Sequence, residues 1–139
     1  MLKHRLIHPQ LIGALATAGH GSQVLLADAN YPFATGVRVD VERVYLNLAP
    51  DMLRVTDVLS VLLDSIEVEA AHVMVPESGA EPGIFAEFRA LLPGVELAKL
   101  GRAEFYEAAR GPNLAVLVAT GERRLFANIL LTLGVVDVR

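Results

Sequence analysis

The chain has 139 residues, 16 of them Asp or Glu and 12 Lys or Arg, giving a net charge of −4. The length suits one domain spanning residues 1–139. With no cysteine, disulfides, a thiol nucleophile and zinc–thiolate sites are excluded, as expected of a cytoplasmic protein, and the scattered basic residues argue against nucleic-acid binding by phosphate neutralisation.

Hydrophobic residues make up 53% of the chain and mean hydropathy is +0.45, yet no apolar run approaches the ~18 residues that span a membrane. Surplus apolar surface in a short soluble chain predicts subunit contacts, hence a homo-oligomer with no membrane partner. The N-terminal "MLKHRLIHPQLIGALATAG" superficially resembles a signal peptide, but His8, Pro9 and Gln10 interrupt its apolar stretch. A short mature helix is the better reading.

In chain order, Pro9 suits the start of that helix and Gly19 its end, with Leu11, Ile12, Leu15 and Ala16 on one face. "QVLLA" (23–27) reads as a buried strand ending at Asp28, and "ANYPFATG" (29–36) as a loop. "RVYLNL" (43–48) reads as a strand, after which Asp51 is expected to cap a helix running to about Ile66. Val55, Val58, Leu59, Leu62 and Ile66 form its core stripe, and the off-stripe Val61 and Leu63 predict cover on more than one side. "AHVMVP" (71–76) is a strand stopped by Pro76, and Ile84, Phe85, Phe88, Leu91 and Leu92 mark an amphipathic helix closed by Pro93-Gly94. "VELAKL" (95–100) is a strand and "AEFYEAAR" (103–110) a helix of good formers. "NLAVLVAT" (113–120) and "FANILLTLGVV" (126–136) are strands around the turn "GERR". Alternation of helices and strands predicts an α/β fold.

Several motifs fail their tests. "GHGSQV" lacks the third glycine of a dinucleotide fingerprint and leads from helix into strand, the reverse of what that site requires. His4 and His8 are four apart, but Pro9 starts the helix after them and no metalloprotease glutamate is present, so they read as exposed histidines near a terminus. His72 begins an apolar strand and reads as structural or edge-exposed.

His20 is more informative. It follows a helix C-terminus, where the dipole favours a cation, and its flanking glycines permit close approach by a ligand or another backbone. An imidazole there either exchanges protons at neutral pH or merely caps the helix. Asp28 ends a strand where α/β sheets gather ligands, or supports an Asx turn. As a pair bracketing one strand, they suggest a carboxylate that orients the imidazole or holds a sugar hydroxyl. Asn128, placed within an apolar strand, needs hydrogen-bond partners that a polyol or neighbouring backbone would supply. Arg102 and Tyr106 are four apart and can share a helix face.

Together "GHG…VLLADANYP", "FYEAA" and "VATGERRLFANILLTLGV" resemble the RbsD/FucU family of D-ribose pyranases and L-fucose mutarotases over nearly the whole chain, with "LADANYP" and "EFYEAAR" nearer the fucose type. The resemblance implies a three-layer α/β/α sandwich with a mixed sheet, assembled into a ring-shaped oligomer, often a decamer, with sugar sites at subunit boundaries. It implies interconversion of sugar anomers or ring forms with no cofactor and no metal. His20 and Asp28 match the family's catalytic His and Asp, Asn128 a sugar-binding Asn, and Arg102 and Tyr106 fall in its substrate-contacting segment. Where the family usually has tyrosine, this chain has Phe126. Its ring can still stack on a sugar face, with Tyr106 or Tyr31 substituting for the missing hydroxyl, or else activity is weakened or the ligand differs. The expected function is a monosaccharide mutarotase in which His20 accepts a proton and Tyr106 donates one; the alternative is a non-catalytic sugar-binding protein of the same fold.

Overall fold

The structure, a computed structural model, describes residues 1–138. In chain order the elements are α1 (Pro9–Thr17), β1 (Gln23–Ala27), β2 (Glu42–Tyr45), α2 (Val55–Leu62), β3 (Val68–Met74), α3 (Ile84–Leu91), β4 (Leu97–Leu100), α4 (Arg102–Ala109), β5 (Leu114–Ala119) and β6 (Ile129–Leu133). The strands form one sheet in the order β2-β5-β1-β6-β3-β4. β1–β5, β2–β5 and β3–β4 pair in parallel, and β6 runs antiparallel to both β1 and β3. The sheet is therefore mixed, as expected.

Side-chain alternation divides the core into two layers. Val24, Leu26, Val73, Val116, Val118, Ile129 and Leu131 face one way and pack with Leu11 of α1, Val58, Leu59 and Leu62 of α2, and Phe85 and Phe88 of α3. Leu25, Leu117, Leu130 and Met74 face the other way, under Phe105 and Ala109 of α4 and under Tyr31, Val37 and Val41 of the long loop. Helices thus cover both faces, which gives the three-layer sandwich.

Four local expectations are corrected. Residues 120–128 do not form a hairpin turn, because β1 lies between β5 and β6; the segment crosses the end of β1 instead. Asp51 does not cap α2. It sits at φ 65° in a tight turn, its carboxylate taken by Arg123 at 2.7 Å, and α2 starts at Val55, where Asp57 accepts the Arg54 N–H at 3.0 Å. His8 is half-buried and caps α1, its Nδ1 accepting the Leu11 N–H at 3.2 Å. His72 lies inside the sheet between Leu130 and Ala98, which settles its edge reading against it.

Gly121 shows why the 120–128 crossing is fixed. Its N–H donates to Leu53 O at 2.8 Å, and a Cβ there would lie 2.3 Å from Ala49 O and 2.8 Å from Met52 O. Both obstacles are backbone, so they cannot rotate away. Gly121→Ala is expected to cost about 1–3 kcal/mol, read as a lower urea midpoint with an unchanged slope.

Candidate functional site

The antiparallel course of β6 creates the site. The carboxyl end of β1 and the start of β6 meet at the same edge of the sheet, because Leu26 pairs with Ile129. Asp28 directly follows β1 and Asn128 directly precedes β6, and both are almost fully buried. The Asp28 N–H donates to Asn128 Oδ1 at 2.7 Å. Asp28 Oδ1 accepts the Asn30 N–H at 3.0 Å and Oδ2 the Ala127 N–H at 3.3 Å. Asn128 lies just outside β6, not within it; its burial is answered by the backbone of β1's end.

The electrostatics of Asp28 are a balance. Burial pushes its pKa above the ordinary carboxylate value, backbone N–H groups of Ala127, Asn30 and Tyr31 pull it back, and the charge of Glu122 adds to the rise. The net direction is upward.

Around this carboxylate lies a cleft of about 220 Å³. Asp28, Asn30 and Tyr31 line it from the end of β1 and its loop, Met74 from the end of β3, and Leu125, Phe126 and Asn128 from the entry to β6. Arg102 and Tyr106 close it from α4. Five of the six residues singled out in the sequence therefore converge. Phe126 holds φ 56°, a left-handed conformation uncommon for a bulky side chain, at the turn that aims it into the cleft.

The aromatic wall is ordered by contact. Tyr31 and Tyr106 have ring centroids 5.2 Å apart, and the guanidinium groups of Arg102 and Arg110 lie 5.8 and 5.7 Å from the Tyr106 ring. Tyr31 is buried and donates its hydroxyl to Gly36 O at 2.8 Å; burial raises its pKa above the ordinary tyrosine value. Its hydroxyl is committed to the loop, so Tyr31 does not replace the hydroxyl missing from Phe126. Tyr106, half-buried, is the phenol that lines the cleft without that commitment.

His20 is not in this cleft. It lies at the opposite end of β1, on the turn after α1. Five strand residues plus flanking turns at ~3.3 Å per residue place it on the order of 20 Å from Asp28. Within one chain, the length of β1 keeps the Asp28 carboxylate from orienting the His20 imidazole. His20 instead bonds Glu69, Nε2 lying 3.0 and 3.2 Å from the two carboxylate oxygens.

Three residues that hold the cleft were not legible in the sequence. Glu122 has a fully buried carboxylate. It accepts the Arg124 Nε–H at 2.9 Å, the Arg124 N–H at 3.1 Å and the Val55 N–H at 3.3 Å, while its carbonyl takes the Ala29 N–H at 2.9 Å. Arg124 also pairs with Glu87 of α3. The segment carrying Leu125, Phe126 and Asn128 is thus tied to α2, α3 and the loop after β1. Thr120, buried beside them, donates its hydroxyl to Ala27 O at 2.7 Å.

A mixed-sheet α/β/α protein with a small cleft that holds a buried carboxylate and amide, walled by tyrosine, phenylalanine and arginine where two antiparallel strands meet, is the class that fold and site define. The family model of the RbsD / FucU transport protein family matches residues 1–136, and the chain belongs to that family. It is 36% identical over 135 residues to a D-ribose pyranase of Streptomyces avermitilis, covering 97% of this chain and 98% of the relative. It is 35% identical over 144 residues to a fucose mutarotase of Mus musculus, covering 96% and 92%. The solved structure of Bacillus subtilis RbsD complexed with D-ribose superposes with a TM-score of 0.84 at 28% identity, covering 99% of this chain and all of that one.

Proposed function

We propose that the protein is a mutarotase that interconverts the anomers, or the pyranose and furanose forms, of a free monosaccharide such as L-fucose or D-ribose, without cofactor or metal. The observation that carries this reading is the convergence of Asp28, Arg102, Tyr106, Phe126 and Asn128 on one cleft of about 220 Å³, sized for a small polyol. Relatives named for fucose and for ribose match at nearly equal identity, so both sugars belong in the test.

In this reading Asn128, its Oδ1 held by backbone, offers Nδ2 as a donor to a sugar hydroxyl. The Asp28 carboxylate accepts from hydroxyls, Arg102 donates to them, and the Phe126 ring stacks on the apolar face of the sugar. Ring opening removes a proton from the anomeric hydroxyl and delivers one to the ring oxygen as the C1–O bond breaks; closure on either face reverses both transfers. His20 is the acceptor and Tyr106 the donor.

Because His20 and Asp28 lie at opposite ends of β1, one site needs His20 from a second copy. The protein then works as a ring-shaped homo-oligomer, a decamer in the family's manner, located in the cytoplasm. Exposed Tyr45, Leu48, Met52, Leu53 and Leu125 supply apolar surface around the cleft side of the sheet for such contacts. A second reading, a sugar-binding protein without catalysis, is favoured by Phe126, which lines the cleft without a hydroxyl.

Saturation-transfer NMR on equilibrated L-fucose and D-ribose separates the two. Added protein is expected to speed exchange between anomers or ring forms of at least one sugar; broadening without exchange would establish the binding protein instead. Phe126→Tyr is expected to tighten sugar binding by about 2- to 10-fold, the worth of one hydrogen bond, with kcat little changed. A rise in kcat of ~10² or more would move the proton donor from Tyr106 to position 126.

A further inference from the structure

We infer that Glu69 is a positioning residue for His20, fixing which imidazole nitrogen exchanges the sugar's proton. The inference rests on the proton-transfer role given to His20 above. Both oxygens of Glu69 lie on Nε2, at 3.0 and 3.2 Å, so the carboxylate accepts a shared Nε2–H. The neutral ring then presents Nδ1 as its lone pair, the nitrogen that takes a proton from the anomeric hydroxyl and later returns it. Glu69 faces the positive charge that appears on the ring while the proton is held, the arrangement of a base oriented by a third group.

The backbone is built to bring the two together. The register of β3 against β6 slips between Val68, paired with Leu133, and Ala70, paired with Thr132. Glu69 is the extra residue of this bulge, and bulges re-aim a side chain beside functional sites. Opposite it, Gly134 passes so close that a Cβ there would lie 3.2 Å from the Glu69 Cβ. The His20 turn is anchored to the same strand end. The Gly21 N–H donates to Leu133 O at 2.9 Å, with Gly21 at φ 84°, and the Ser22 N–H donates to Gly19 O at 3.0 Å. The end of β6 thus sets both partners.

The side chains of the pair are 60% and 45% exposed. A contact this wet contributes little to folding even when the ring is charged, so stability does not explain a bulge, a pressed glycine and a positive-φ turn converging on it. In the oligomer of the proposed function, this end of the sheet meets the neighbouring cleft.

The test compares His20→Ala, Glu69→Ala and Glu69→Gln in the full-length protein. Exchange kinetics of the sugar turned over by the wild type are measured alongside two-bond ¹H–¹⁵N spectra that read the His20 tautomer. Wild-type His20 is expected to carry its proton on Nε2. Glu69→Ala is expected to lower kcat by about 10²-fold with KM within about 2-fold and to mix the tautomers. Glu69→Gln, which keeps an acceptor but no charge, is expected to fall between. Glu69→Ala with unchanged kcat and an unchanged tautomer, beside an inactive His20→Ala, would overturn this inference alone. An active His20→Ala would sink the proton-transfer reading, and the tautomer spectra would still decide whether Glu69 fixes the ring.

Discussion

Two inactive variants, His20→Ala and Asp28→Asn, are expected to regain about a quarter of wild-type exchange activity when unfolded together and co-refolded. His20→Ala loses the proton acceptor, at a cost of roughly 10²–10⁴ in rate, and Asp28→Asn loses the charge that holds the sugar's hydroxyls, at a cost of roughly 10–10². In the proposed ring of head-to-tail contacts, a competent site would need an intact Asp28 on one copy and an intact His20 on the next. With equal amounts of the two chains mixed at random, each condition is met half the time, which gives about one site in four. A site formed within one chain would give nothing on mixing, since every chain carries one lesion. Refolded mixtures with no activity, from variants shown to co-assemble, would therefore return His20 to a structural role on its own turn.

The second large effect is expected at Glu122. Its buried carboxylate satisfies the first N–H of α2 and both backbone and side chain of Arg124. Glu122→Ala is expected to destabilise the fold by about 3 kcal/mol, the low end for breaking a buried pair, because Arg124 keeps Glu87 and partial solvent. Sugar affinity should fall with it, since Phe126 and Asn128 ride on that segment. Urea unfolding and saturation-transfer NMR report the two losses separately.

The pH dependence carries the same signature. Burial pushes the Glu122 pKa up, but hydrogen bonds from Arg124 and its positive charge outweigh burial and hold it below the ordinary glutamate value. A depressed carboxylate contributes stability that is present above its unfolded value and lost as pH falls through the folded one. Asp28 is raised and has the opposite sign: its contribution is present below the unfolded value and lost as pH rises through the folded one. Urea midpoints followed from pH 7 toward 3 should therefore fall less steeply in Glu122→Ala than in the wild type. An equal slope would show that the Arg124 contacts do not survive in solution.

Most elements could be read from the chain because Pro9, Pro76 and the "PG" at 93–94 punctuate clear periodicities. The convergence of Asp28, Asn128, Arg102, Tyr106 and Phe126 followed from resemblance more than from spacing, since three separate segments supply them. That His20 and Asp28 of one chain lie far apart was not legible, because nearness in sequence is not nearness in space. A five-residue strand separates its ends more effectively than a loop of the same length would. Reading "GERR" as a hairpin turn hid Glu122. The signal against it was present: "LAVLVA" and "ILLTL" are near-continuous apolar runs, the mark of strands covered on both faces, with neighbours on either side. Glu69 was hidden because a bulge is a property of two strands in register, and one strand's sequence does not reveal it.

The central placement of β6 bears on how the chain reaches its native state. The last strand in chain order is wedged between β1 and β3, so until residues 129–133 arrive, the sheet is two separate halves. One half is β2-β5-β1 and the other β3-β4, each with an apolar edge open to solvent. Contacts between β1 and β6 span more than a hundred positions of chain, and such distant closures slow folding and lengthen exposure to aggregation. The same strand leads from Asn128 and positions the turn of His20, so under the proposed function sugar recognition and completion of the sheet are one event: a chain still lacking β6 has neither a closed core nor a place to bind.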